Sequence, residues 1–261
     1  YDAGHTRGWK IPSARSQLAK ENWKLYLRKV LYRPFDMRSI LYTPLMIDWS
    51  RPEVMRQMLV GENMGLITSR LTKGETFQHT QVTRNIVEVI CMSPKTSNNG
   101  FVFPVYLYPP TDLFGDSASG KRSPNLAPEF IADFSARLQL DFVPDGCGDL
   151  RKTFGPEDVF HYAYAVFHSP IYRSRYAEFL KIDFPRLPLT SDVALFRSLC
   201  VLGKELVALH LMEQLPELKT RFPEAGDNTV ETVRYSEPAD GVLGRVWINK
   251  KQYFDNVPPE V

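Results

Sequence analysis

The chain has 261 residues, 43% hydrophobic and 24% charged, with 32 Lys and Arg against 30 Asp and Glu for a formal charge of +2. These proportions belong to an ordinary globular protein and exclude disordered, collagen-like and low-complexity classes. No apolar run approaches the roughly 18 residues of a membrane span, and Cys91, Cys147 and Cys200, odd in number and in no CxxC pair, read as reduced thiols of a cytoplasmic protein.

The first residue is Tyr1, with no basic-then-apolar leader behind it, so a piece of a longer polypeptide is expected. Residues 13–29 open as a helix with Ser13 as N-cap, and alternation over residues 23–28 leaves its end open. From Val30 the pattern turns to β: residues 31–33, a Pro34-Phe35-Asp36 turn, then residues 39–42. Pro52 starts a short helix that Gly61 closes. Four β-like segments follow, at residues 64–69, 77–83, 85–92 and 101–108. Their short spacers favour antiparallel neighbours, and residues 109–125 read as a linker.

The second half is helical by period. Phe130, Ile131, Phe134 and Leu138 mark a helix over residues 127–140. Pro156 follows Gly155 as a helix-first proline, with Glu157 and Asp158 suited to that positive end. Asp192 caps a long helix whose expected inward stripe is Leu195, Leu199, Leu202, Leu206, Leu209 and Met212. A terminal β segment is expected over residues 232–235 and 245–248. The fold class is therefore α+β, an antiparallel β-rich N-terminal part followed by a helical C-terminal part.

Catalytic motifs are sought and fail. Residues 115–121 have phosphate-loop spacing, but Arg122 stands where a Mg²⁺-binding hydroxyl is needed and Ser123-Pro124 where a helix should run. Tyr108-Pro109-Pro110-Thr111 lacks the flanking groups of an amino-methyltransferase turn. Gly146-Cys147-Gly148 opens no helix. His161 and His168, seven apart, have no nearby carboxylate or cysteine partner in sequence to complete a metal set. No catalytic, cofactor or metal residue is assigned.

Charge is uneven. Residues 1–100 carry 15 Lys and Arg against 8 Asp and Glu, a net of +7, and residues 101–261 carry 17 against 22, a net of −5. A basic half joined to an acidic half points to a polyanion partner for the first half. The candidate DNA-contacting residues are Arg33, Arg38, Ser69, Arg70, Lys73, His79, Thr80, Gln81, Arg84, Lys95, Asn98 and Asn99. Arg, Asn and Gln match base edges, while Lys and hydroxyls suit phosphates; solvated loops are the competing reading.

Several motifs carry a resemblance: YRPFDMR at residues 32–38, NMGLITSR at 63–70, FVFPVYLYP at 101–109, PEDVFHY at 156–162, and a run from Ser169-Pro170-Ile171-Tyr172-Arg173 to Leu187-Pro188-Leu189. In order and spacing over residues 30–261 the chain resembles the C-terminal specificity region of type ISP single-polypeptide restriction–modification enzymes. The resemblance implies a parent chain that holds a nuclease, an ATP-driven helicase-like motor and an adenine methyltransferase, with S-adenosylmethionine, ATP and Mg²⁺ bound outside this segment. It implies that residues 1–29 are a junction from the methyltransferase, 30–110 a basic β-rich subdomain and 111–261 a mainly helical one. The implied partners are double-stranded DNA and the adjoining methyltransferase. Two rivals are a specificity domain of a phage-defence methyltransferase without motor or nuclease, and a scaffold domain with no DNA role.

Overall fold

The computed structural model describes residues 11–47, 49–72, 74, 76–93, 98–109, 121–215, 217, 219–238 and 244–259. The fold is α+β, and the chain divides into two compact units, residues 1–213 and 214–261. Among the described residues no helix is long and apolar enough to cross a membrane.

In the first unit, helix α1 (Ile11–Leu18) stops well short of the helix expected to residue 29, and strand pairing claims the chain from Leu27. Strands β1 (Leu27–Arg33) and β2 (Asp36–Leu41) form a hairpin whose two-residue turn is Pro34-Phe35. Proline presets the first turn position, and Phe35 takes the second at φ 64°, a left-handed conformation that favours glycine. Helix α2 (Pro52–Met55) begins on its proline. Strands β3 (Gly65–Thr68), β4 (Thr80–Thr83), β5 (Ile86–Val87), β6 (Phe101–Pro104) and β7 (Tyr106–Leu107) follow. β3 sits antiparallel between β4 and β6, as the short spacers predict. The expected strand over residues 85–92 shrinks to β5, which pairs parallel with β1 and then gives way to turns.

Strand β8 (Ser123–Pro124) pairs with β7, and helix α3 (Pro128–Leu138) fills the segment where the 3.6 period placed it. Strands β9 (Asp141–Phe142) and β10 (Thr153–Phe154) pair parallel and lead into helix α4 (Pro156–His168). Asp158 Oδ2 accepts the Gly155 N–H at 2.9 Å and the Gly148 N–H at 2.6 Å, which fixes the start of α4. Helices α5 (Pro170–Arg175), α6 (Ala177–Leu180) and α7 (Val193–His210) complete the unit. Asp192 caps α7 as expected, its Oδ1 accepting from the N–H groups of Ala194 and Leu195.

The inward face of α7 corrects the sequence reading. Phe196, Cys200, Gly203 and Val207 are buried, whereas Leu195, Leu202 and Met212 are exposed and Leu199, Leu206 and Leu209 are half-buried. The buried stripe lies one residue along from the leucine stripe. Gly203 is the reason: a Cβ there would lie 1.9 Å from the carbonyl oxygen of His161, so only glycine lets α7 press against α4. The two helices run parallel. Cys200 Sγ lies 3.3 Å from the Asp158 carbonyl, Gly203 meets His161, and the His210 ring lies 5.2 Å from that of His168.

The core of this unit centres on Phe134, Phe154, Tyr162 and Phe196, whose rings meet at 5.3–6.0 Å, edge-on or tilted. A second cluster, with Val30, Met58, Ile67 and Ile86, lies under the hairpin. A third, with Met64, Val82, Tyr106, Phe160, Tyr164 and Val207, joins strands to helices. The second unit is an antiparallel sheet of β11 (Arg234–Ser236), β12 (Gly244–Trp247) and β13 (Tyr253–Val257); the first two overlap the expected terminal β segment. Its buried Gln252 has its amide bonded by Glu224, Asn228 and Asn249, so no polar atom of that side chain is wasted.

Candidate nucleic-acid interface

The basic hairpin is braced by its own pairs. The guanidinium carbons of Arg33 and Arg38 lie 3.9 and 3.8 Å from the centre of the Tyr32 ring. Arg33 Nη1 donates to Glu88 at 2.7 Å, and Arg38 forks onto Asp36 at 2.8–3.2 Å. Arg38 stays exposed and Arg33 does not. Arg84 forks onto Glu213 at 2.6 and 3.3 Å, half-exposed.

Arg70 is different. Its side chain is 62% exposed and its Nε lies 3.6 Å from Asp183, beyond hydrogen-bond distance. The loop that carries it is fixed by Thr72, whose N–H and hydroxyl donate to the carbonyls of Lys181 and Leu180. Ser69 beside it is fully buried, and its hydroxyl has no partner among the described residues. Lys73 and Lys95 lie outside the described residues, as does most of the 115–121 segment; Asn98 is buried and Asn99 exposed.

His79, Thr80 and Gln81, expected as DNA contacts in or beside a strand, are instead buried. They line one wall of a cleft of ≈ 700 Å³ whose opposite wall is His168, Arg173 and His210, with the Pro34-Phe35 turn at its rim. The cleft is organised by Tyr164. Gln81 Oε1 accepts the Tyr164 hydroxyl at 3.0 Å and the Val82 N–H at 3.2 Å. The tyrosine's one proton is thereby used, so its short contact with His210 requires Nδ1–H of the imidazole to donate. His168 Nδ1–H donates to the Tyr164 carbonyl at 2.8 Å. Burial lowers His168 to about 4, against the raising effect of the Tyr164 and Thr80 carbonyls. Burial also lowers His210, so both imidazoles are neutral at pH 7. Thr80 Oγ1 is buried with no partner among the described residues.

Arg173 is the fixed charge of the cleft. Its Nε donates to the Phe167 carbonyl at 2.7 Å, and burial acts against its charge. Among the described residues no carboxylate pairs with it, and none lines the cleft. Sequence reading missed Arg173 and His210 as site residues and set His168 aside. One signal was available: His210 continues the 196, 200, 203, 207 spacing of the buried α7 stripe, an ionisable group where an apolar one is expected.

Cys147, Asp158 and His161 bring possible metal-ligand atoms within 4.8 Å of one another, a grouping with no motif in the sequence to announce it. The chemistry there disfavours a cation. Asp158 is committed to two backbone N–H groups at the positive end of α4, burial pushes the Cys147 thiol up to about 12, and the charge of Lys204 acts on both Cys147 and His161. The carboxylate of the set is the cap of α4.

The family model described as the Type ISP C-terminal specificity domain matches residues 2–261. Three solved structures are similar in fold. The first is the ATP-dependent Type ISP restriction-modification enzyme LlaBIII bound to DNA, at 22% identity and a TM-score of 0.66, covering 99% of this chain and 16% of that one. The second is a DrdV–DNA complex, at 22% identity and a TM-score of 0.64, covering 94% and 23%. The third is a nuclease-deletion mutant of the Type ISP restriction-modification enzyme LlaGI in complex with a DNA substrate mimic, at 19% identity and a TM-score of 0.57, covering 90% and 15%. The chain thus spans less than a quarter of each of these structures. No curated protein matches it.

Proposed function

The chain belongs to the family of Type ISP C-terminal specificity domains, and from that membership we propose that it reads a short duplex DNA site for a longer restriction–modification polypeptide. The match along residues 2–261 carries the reading. In that reading chemistry and recognition are separate. An adenine methyltransferase and an ATP-dependent translocating nuclease act elsewhere on the parent, where S-adenosylmethionine, ATP and Mg²⁺ bind. Residues 1–29 join the methyltransferase, residues 30–110 present the basic reading surface, and residues 111–261 support it.

Of the twelve candidate residues, the ten that the structure describes divide by what each can reach. Arg38, Arg70, Arg84 and Asn99 stand at the surface and take the DNA-contacting role. His79, Thr80 and Gln81 line the cleft behind it, with Asn98 bonded to His79; Arg33 is paired with Glu88, and Ser69 is buried beside Arg70. Binding of the purified chain to the genomic fragments it enriches, against shuffled duplexes of equal length, tests the role. The expected result is one enriched asymmetric motif, tighter than shuffled duplex by at least ~10³. Equal affinity for all duplexes, or none, overturns it.

A further inference from the structure

We propose that Arg173 forms an anion seat in the cleft between β4 and helices α4 and α7, and that the seat takes a phosphodiester group of duplex DNA. The inference deepens the DNA-reading role proposed above and rests on it.

Arg173 is an uncompensated charge among the described residues. A guanidinium does not lose its proton at any working pH, so burying half of it against apolar helix carries a standing cost unless an anion meets it. Every other arginine whose charge is paired here has a named carboxylate, at 2.6–3.9 Å. Among the described residues Arg173 has only the Phe167 carbonyl, bonded through Nε. That bond fixes the plane of the fork and leaves both terminal nitrogens without a hydrogen bond among the described residues. Two parallel N–H groups match two non-bridging phosphate oxygens.

The surroundings suit a phosphate better than a carboxylate of the protein itself. Among the described residues no acidic side chain lines the cleft to repel an incoming anion, and Gln78, Thr76 and Ser93 add neutral polar groups on the walls. Its volume of ≈ 700 Å³ admits a phosphate with its sugar, beyond the needs of a single water. The rim is the Pro34-Phe35 turn, which closes the hairpin that carries Arg33 and Arg38, so a backbone crossing the rim passes from exposed to buried arginine. His168 and His210 are held by Tyr164 through Nδ1 and so form a fixed wall beside the seat.

Two variants of the whole chain and one wild-type measurement test the seat. The probes are a labelled random duplex and inorganic phosphate. Arg173→Gln, melting like wild type, should weaken duplex binding roughly tenfold near 0.1 M salt and make the salt slope shallower by about one. Arg173→Lys keeps the charge without the fork, so it should retain the slope while losing part of the affinity. In wild type, duplex should shift the imidazole ¹⁵N resonances of His168 and His210, a readout that survives if Arg173→Gln does not fold. Unchanged affinity and slope in a folded Arg173→Gln, or unmoved imidazoles on saturation with duplex, overturns the seat while leaving DNA reading intact. Wild type that binds no duplex overturns DNA reading itself. If inorganic phosphate then shifts the same imidazoles, the seat serves a free anion and its assignment to DNA is overturned too.

Discussion

At the residue scale, neighbours in sequence serve opposite ends. Arg70 is exposed, and its pair with Asp183 is too long for a hydrogen bond, so the pair contributes little to stability. Ser69 is sealed away with an unbonded hydroxyl. Arg70→Ala should therefore leave the melting temperature within error while weakening the cognate site by about 1–3 kcal/mol and random duplex much less. Ser69→Ala should do the reverse, leaving DNA affinity alone and holding or raising the melting temperature, because an orphan polar atom is removed. Paired affinity and melting measurements on both variants decide this, and equal loss on cognate and random duplex would strip Arg70 of base reading.

A second residue-scale expectation concerns acid. Burial lowers His161 from 6.5 to about 4, so between those values the unfolded chain binds a proton that the folded chain refuses. The stability this histidine contributes is complete above pH 6.5 and is lost as pH falls toward 4, on the order of 2–3 kcal/mol in all. His168 carries the same depression and adds to the slope. Melting curves from pH 7 to 4.5 should thus fall less steeply for His161→Gln than for wild type; superimposable slopes would contradict the assignment.

At the scale of elements, local chemistry was legible and long-range choice was not. The prolines that start α3 and α4, the Asp192 cap of α7, and the antiparallel β3 core all follow from short-range rules. The face of α7 did not, because two stripes of helical spacing lie side by side and the leucine stripe is the more apolar. Packing chose the other, for a reason 42 residues away in sequence: backbone contact at His161, open only to glycine. The same limit explains His79-Thr80-Gln81. They read as polar DNA contacts on a β segment, yet Tyr164, 83 residues beyond Gln81, supplies the hydroxyl that lets that glutamine be buried. Swapping the stripes experimentally separates the two readings. Gly203→Ala should cost about 1–3 kcal/mol or more, since rigid backbone cannot yield to the new methyl group, whereas Leu202→Ala should stay within about 0.5 kcal/mol. Denaturant midpoints of the two variants give the answer, and a larger loss at Leu202 would restore the leucine face.

For the whole molecule, a net charge of +2 hides a division that matters for a polyanion partner: +7 over residues 1–100 and −5 over the rest. The sequence made that division visible but not which cations are spent on the fold. Arg33 is spent, Arg38 and Arg84 are half-spent on Asp36 and Glu213, and Arg70 is nearly free. Neutralising Arg38, Arg70 and Arg84 together should flatten the salt slope of duplex binding by up to ~0.9 per phosphate contact removed. Replacing Arg151, Lys152 and Arg197 in the acidic half should leave it unchanged. Affinities between about 50 and 200 mM salt measure both, and an equal change from either trio would spread the DNA surface over the chain.

The parallel packing of α4 and α7 makes Gly203 a calliper for a place it never touches. His168 and His210 lie seven residues beyond His161 and Gly203 on their respective helices, about 10 Å along, on one wall of the cleft. Whatever separates the helices at the glycine also separates the two histidines, so the shape of the wall offered to a ligand is gauged by one absent methyl group. A Gly203→Ala chain that still folds should carry a wider-set imidazole pair, and its grip on duplex should slacken with every contact residue intact.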